Sequence, residues 1–405
     1  MPAERAPGEP PRDAPLAVNG APARDLRLDA LRALALAGIL QVNIQSFVWG
    51  AGNPLGYFRG PPDSAEAITY FALSALVEYK FMPLFAMLFG ASFGLLWSKL
   101  EAAGRDARRV MRRRYAVLFV FGVAHGLLAY YGDITNLYAL LGLMLMRHAT
   151  SDAATLARAV RRWWLAAALV TTVLAGVAWL GSSLADGEFS GELAQAYLTY
   201  TRGSWSAQLR QRAQDFMLIS WSAWLGGLWV PVYAFMLTGL LAVRAGWLAE
   251  PPPGLARRTL VLGLLIGLPA GLLQAAGSLA AVAEGPGTLA NPLFAIPLLA
   301  SSALSFAYAA AVLWFARGAW IAWLAPAGRM PLSNYLAQSL AMGALLSGWG
   351  LGWGAWMNTW QLALLAAAIV SVQWLASRWW MARHAQGPLE ALWRRFAEGS
   401  SSAAR

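Results

Sequence analysis

Residues 261–282 read VLGLLIGLPAGLLQAAGSLAAV, a run without a single charged side chain. At 1.5 Å of rise per helical residue this run is about 33 Å long, enough to cross the ~30 Å hydrocarbon core of a bilayer. Similar apolar runs recur at 81–97 and 362–375, and at 31–49 with Arg32 as the one charged side chain. A helix satisfies its own backbone hydrogen bonds, so it can lie in lipid where loops and open strands cannot. Working outward from these runs gives ten expected spans, at 30–49, 67–98, 112–130, 133–148, 162–181, 217–243, 258–283, 291–316, 331–348 and 356–380. The second is too long for one crossing, so 67–78 is expected to lie at the interface and 81–97 to form the span proper. The fourth is short, which suits a tilted or re-entrant segment, and 318–324 either extends the ninth span or lies at the interface. The expected fold class is an all-α polytopic transmembrane bundle.

The basic residues set the orientation. They gather in alternate connections: Lys99, Arg105, Arg108, Arg109, Arg112, Arg113 and Arg114; then Arg147, Arg158, Arg161 and Arg162; then Arg244, Arg257 and Arg258; then Arg317 and Arg329. Arg378, Arg383, Arg394 and Arg395 follow near the C-terminus, whereas 131–132, 284–290 and 349–355 carry no Lys or Arg. Positive-inside bias then puts both termini in the cytoplasm and 182–216, the largest outer connection, in position to form an external cap. The net charge of +11 is thus a topology signal and not a nucleic-acid footprint. Residues 1–27 read as a disordered tail, 28–385 as the membrane domain and 386–405 as a cytoplasmic tail. The chain has 21 Trp, many near expected helix ends (Trp49, Trp97, Trp163, Trp164, Trp379, Trp380), where lipid headgroups favour them. The absence of cysteine excludes thiolate chemistry and disulfides, and three scattered histidines make no metal site. No internal repeat is visible.

An ionisable group inside a span costs several kcal/mol, so Arg32, Glu78, Lys80, His125, Asp133 and Arg329 are candidate functional residues. His125 is expected in the outer half of its span, between Gly122 and Gly126, which admit a close neighbour. Its imidazole suits proton abstraction from a hydroxyl or amine. Asp133 opens the next span, but eight helical residues are about 12 Å, so contact with His125 needs the turn to fold back. The structural alternative is a His bonded to a carbonyl and an Asp that caps a helix. Lys80 lies at a similar depth, with snorkelling as its alternative. Glu78, two positions earlier, does not share its helix face. Arg32 and Arg329 sit at inner ends, suited to phosphate or to simple anchoring. Asn43, Asn334 and Gln338 are polar groups able to join helices.

Four segments carry a family resemblance: Leu28-Asp29-Ala30-Leu31-Arg32 through Asn43; Lys80-Phe81 through Leu88-Phe89-Gly90; Arg114, Gly122, His125 and Gly132-Asp133-Ile134; and Gly328-Arg329-Met330, Ser333-Asn334-Tyr335, Gln338-Ser339 with Gly387-Pro388-Leu389-Glu390 and Leu392-Trp393-Arg394. Together they resemble the YeiB-like bacterial membrane proteins, domain of unknown function 418, over nearly all of the chain after residue 25. The sequence departs from that pattern at Ala33 and Tyr79, where Gly is usual, and at Thr135, where Leu is usual. The family in turn resembles the transmembrane acyltransferase superfamily, which includes the lysosomal heparan glucosaminide N-acetyltransferase and bacterial sugar O-acyltransferases. The resemblance implies a multi-pass protein of the bacterial inner membrane. It would move an acyl group from cytoplasmic acyl-CoA to a hydroxyl or amine of a small-molecule or glycan acceptor outside, with a His as base or transient carrier. On that reading His125, Asp133 and Lys80 are catalytic, Arg32, Arg329 and Asn334 hold the CoA donor, and no metal or nucleic acid takes part. A transporter with the same polar groups as a substrate or proton relay is the alternative, and a non-catalytic scaffold a third. Acyl-CoA binding separates the first reading from the others.

Overall fold

A computed structural model describes residues 25–51, 63–182, 190–284 and 299–398. Most of the expected N-terminal tail, the start of the eighth expected span and the 284–290 connection beyond its first residue lie outside them. Every regular element among the described residues is helical. In chain order these are α1 (Leu26–Trp49), α2 (Ser64–Leu76), α3 (Phe81–Ala102), α4 (Ala107–Leu128), α5 (Thr135–Leu145), α6 (Ala153–Ser182), α7 (Ser190–Arg202) and α8 (Trp205–Leu225). They continue with α9 (Trp229–Arg244), α10 (Leu255–Glu284), α11 (Ala303–Ala310), α12 (Ala319–Gly328), α13 (Pro331–Leu346), α14 (Thr359–Met381) and α15 (Pro388–Glu398).

Local chemistry places the ends. Asp25, Asp63 and Asp106 each accept a backbone N–H in the first turn of α1, α2 and α4, and Asn358 forms a reciprocal capping box with Gln361 at the start of α14. The expected break in the second span falls between α2 and α3, where Tyr79 takes φ +58°, a left-handed value that a bulky residue rarely adopts. This is where the family usually has Gly, and the geometry supplies the reason.

Among the described residues, five helical stretches are long and apolar enough to cross a bilayer: Leu26–Trp49, Ser64–Ala102 with its break, Ala153–Val177, Leu255–Ala280 and Thr359–Met381. The expected sixth span is instead a bent pair, α8 and α9, which meet at 70°. The chain is therefore a polytopic helical membrane protein. α5, at about 16 Å, and the apolar part of α4 after Arg114, at about 21 Å, are too short for a full crossing. They form a hairpin whose turn is residues 129–134. The 318–324 stretch becomes α12, a separate short helix packed along α1.

Packing is tightest where α3 crosses α9. A Cβ on Gly90 would lie 1.8 Å from the Met236 carbonyl oxygen, and one on Gly239 would lie 1.9 Å from that of Met87. Such backbone approach needs small residues, the usual basis of helix association in lipid. One large core surrounds this crossing and includes Trp97; a second gathers α1, α13, α14 and the α4–α5 turn, and includes Trp49. Both of these Trp rings are buried, so they are core residues and not the headgroup anchors expected of them; Trp379 is exposed.

The first and last described helices, α1 and α15, both meet the α12–α13 junction. Gly328, at the end of α12, sits against the Asp29 carbonyl near the start of α1. α13 begins three residues later, and its first turn is held by Glu390 of α15. Trp393 of α15 donates its indole N–H to the Arg114 carbonyl, and the Arg114 guanidinium stacks 4.1 Å over the Trp393 ring. Within the segment expected to be a cytoplasmic tail, residues 388–398 thus form a helix docked against the start of α13 and Arg114.

Candidate functional site

The α4–α5 turn does fold back. The His125 carbonyl accepts from Ala129 and Tyr130, and the Tyr130 carbonyl accepts from Asp133, so the chain reverses within a few residues. Gly122 and Gly126 make the approach possible. A Cβ on Gly122 would lie 2.4 Å from the Asn136 nitrogen, and one on Gly126 2.2 Å from the Phe216 ring. Asp133 Oδ1 accepts from the backbone nitrogens of Thr135 (2.7 Å) and Asn136 (3.3 Å), capping α5. Its Oδ2 accepts from the Thr135 hydroxyl (2.9 Å) and lies 2.7 Å from His125 Nδ1. The cap and the histidine partner are therefore the same carboxylate. Thr135, where the family usually has Leu, adds a donor to it.

His125 Nε2 lies 2.9 Å from the Ser339 hydroxyl, on α13. A carboxylate only accepts, so Nδ1 carries a ring proton, and in the neutral ring Nε2 offers its lone pair to Ser339. The Tyr335 ring, one turn before Ser339, packs with its centroid 5.0 Å from the imidazole. Asp133, His125 and Ser339 are buried. The resulting line of groups, carboxylate to imidazole to hydroxyl, has the roles of an acid–base–nucleophile triad, which is recognised by geometry and not by chain order. Ser339 stands in the Gln338-Ser339 motif, one helical turn after Tyr335, and nothing in the sequence besides that spacing singles it out.

α8 closes one side of the site. Phe216 covers Gly126, and buried Arg212 donates to the Leu128 carbonyl at 2.6 Å. Asp215 accepts from Tyr200 of α7 at 2.7 Å. α7 and α8, which lie in the connection expected to form a cap, pack over this hairpin.

Lys80 is not part of this arrangement. It is buried at the α2–α3 break, where its ammonium donates to the Ser74 carbonyl (2.7 Å) and to Gln274 Oε1 (3.0 Å). Glu78 accepts from the Ser74 hydroxyl at 2.8 Å, and Ser301 donates to Gln274 Oε1 at 2.8 Å. This is a second polar cluster, joining α2, α3 and α10.

The remaining candidates lie toward the arginine-rich face. Arg32 bonds Asp29, one turn earlier, and donates to the Ser92 hydroxyl of α3 at 2.8 Å, so the Leu-Asp-x-x-Arg motif acts as a clamp between α1 and α3. Arg329 ends α12 and donates to the Ala385 carbonyl at 3.2 Å. Asn334 donates to the Ala327 carbonyl (3.0 Å) and to the Ser377 hydroxyl (3.1 Å), which joins α12, α13 and α14. Beside it Gln338, buried, donates to Gln373 (3.0 Å) while its own Oε1 has no partner. The cavity they line is about 10 Å³, room for about one water and not for an acyl chain. No group of metal-binding side chains occurs among the described residues.

The family model described as "Protein of unknown function (DUF418)" matches residues 242–400, which hold α13, Ser339 and the docked helix. The uncharacterized protein YeiB of Escherichia coli (strain K12) is 30% identical over 92% of this chain and 95% of its own length. The uncharacterized protein YxaH of Bacillus subtilis (strain 168) is 26% identical over 91% of this chain and 92% of its own. No solved structure matches. Similarity that runs through both halves of the molecule, from the His125 hairpin to the helix bearing Ser339, places the chain in the YeiB-like family of bacterial membrane proteins, DUF418.

Proposed function

We propose that this protein is an acyltransferase of the bacterial inner membrane, which takes an acyl group from a cytoplasmic acyl-CoA and delivers it to a hydroxyl or amine at the outer face. One observation carries the reading: His125 has a carboxylate behind Nδ1 and a hydroxyl in front of Nε2. A ring held in that tautomer is a general base, and the charge it gains on accepting a proton is stabilised by Asp133. Arg329 and Arg32, at adjoining ends of α12 and α1, are the candidates to hold CoA phosphates, since a guanidinium presents a planar fork of donors. To do so Arg32 exchanges its bonds to Asp29 and Ser92 for bonds to phosphate, and the helices around Asn334 separate to admit the acyl chain.

The test is consumption of acyl-CoA by the purified protein, read as thiol release, together with calorimetry of CoA binding. Wild type should release thiol, His125→Gln should abolish release while keeping binding, and Arg329→Ala should weaken binding. Folded wild type that neither binds CoA at millimolar concentration nor releases thiol would refute the reading. It would favour transport, for which the buried Lys80–Gln274–Glu78 cluster is the motivating feature, since ionisable groups in spans commonly mark ion or proton paths.

A further inference from the structure

We infer that Ser339 is the nucleophile of the site and carries the acyl group as a covalent ester between donor and acceptor. The inference rests on the acyl-transfer reading and adds to it a two-step route through a residue of the chain itself.

Three features lead there. First, the lone pair of His125 Nε2 is already engaged by the Ser339 hydroxyl at 2.9 Å. An acceptor that lost its proton to His125 directly would first have to displace Ser339 from a buried position. The hydroxyl within reach of the base is the serine's own, and nucleophile-to-base distances of this length are those of activated serines. Second, Asp133 is fixed by bonds from Thr135 and Asn136 as well as by His125, so the orientation of the ring does not depend on a bound substrate. That is preorganisation for repeated proton transfer at one atom.

Third, the position of Ser339 matches a carrier. It lies ten residues beyond Arg329, and nine of these are on α13, so it is eight steps, about 12 Å, into the helix from the arginine-rich face. His125 reaches it from the far end of α4, beneath the α8 cap. A CoA donor is highly charged and stays on its own side of the membrane, whereas the acceptor of the proposed reaction is outside. A serine between the two can be loaded from one side and unloaded to the other without donor and acceptor ever meeting.

The steps balance. Ser339 Oγ attacks the thioester carbonyl carbon and gives its proton to His125 Nε2. The C–O bond forms, the C–S bond breaks, and the proton passes from Nε2 to the departing sulfur, which leaves as free thiol. In the second half the acceptor hydroxyl or amine gives a proton to Nε2 and attacks the ester carbonyl. The bond to Oγ breaks, and the proton returns to Ser339. No electrons are gained or lost overall.

The experiment uses the full chain in nanodiscs with two probes, an alkyl fluorophosphonate and an alkyne-tagged acyl-CoA, each followed by acid quench and peptide mass mapping. Both should mark Ser339. Ser339→Ala should lose both marks, and His125→Gln should slow them by about 10²–10⁴-fold, the usual scale of general-base assistance. Ser339→Cys, which keeps size and the contact to His125, should regain the acyl mark as a thioester cleaved by neutral hydroxylamine. It serves if Ser339→Ala does not fold. Thiol release that persists in Ser339→Ala or without any Ser339 adduct, yet is abolished in His125→Gln, would overturn the carrier role and leave the acyltransferase reading standing. Fluorophosphonate labelling of Ser339 without any acyl-CoA consumption would support the nucleophile and refute the donor. Absence of both marks on folded protein that also releases no thiol would refute both.

Discussion

Asp133→Asn separates structure from chemistry at this site. The carboxylate takes part in hydrogen bonds with His125, with the backbone of Thr135 and Asn136 and with the Thr135 hydroxyl, and the Tyr335 hydroxyl bonds it as well. In the variant the amide oxygen keeps the backbone donors of Thr135 and Asn136, so the α5 cap survives. The amide nitrogen then faces His125 Nδ1 and donates where Oδ2 accepted. The imidazole must give up its Nδ1 proton and carry it on Nε2 instead, pointing at Ser339, which leaves no lone pair to take the serine proton. Replacing a charge-assisted bond by a neutral one costs about 1–2 kcal/mol of stability. Inverting the tautomer costs far more in reactivity, on the order of 10³–10⁴-fold, equivalent to about 4–5.5 kcal/mol of barrier. Both are measurable. The chain has three histidines, so ¹⁵N-imidazole NMR with His148→Gln and His384→Gln backgrounds isolates the His125 signals. Wild type should show a protonated Nδ1, Asp133→Asn a protonated Nε2, and Ser339 phosphonylation should slow by the factor above while the melting transition shifts only modestly. An unchanged tautomer, or unchanged serine reactivity in a folded variant, would refute the reasoning.

Two other perturbations test the frame that holds the site. Glu390 accepts from the Leu332 and Ser333 nitrogens and from the Ser333 hydroxyl, so Glu390→Ala should cost about 1–2 kcal/mol as a lost helix cap, read by thermal unfolding. It should also slow Ser339 labelling, because the clip sets the register of α13; unchanged labelling would show that α13 needs no such clip. Tyr79→Gly should be neutral to stabilising by up to about 1 kcal/mol, since relief of a left-handed Tyr outweighs the entropy of a glycine. A loss of more than about 1 kcal/mol in the same melting assay would mean that the half-exposed ring contributes packing worth more than the strain.

Much of this molecule is legible in one dimension because lipid imposes a one-dimensional rule. A crossing helix must be apolar along its length, so 31–49, 261–282 and 362–375 declare themselves, and so does the interruption at Glu78–Lys80. The His125–Asp133 pair is also a local affair: eight residues around one turn, with only the fold-back of that turn left for the structure to decide. Burial cost marks ionisable groups in spans as special, but cost does not say which groups meet. Lys80 lies at an expected depth near His125, yet α10 brings Gln274 to it from 194 positions away. Arg32, suited to phosphate by its chemistry, finds Asp29 and the Ser92 hydroxyl first. Ser339 carries no cost that would single it out, since a serine in a helix can bond its own backbone. It gains its role because helix packing sets α13 against the α4–α5 hairpin and bridges 214 residues to His125. Periodicity and polarity follow from each residue's relation to lipid and are written in the chain. The choice of partner among several buried polar groups follows from how helices with small contact residues cross, and that is decided only in three dimensions.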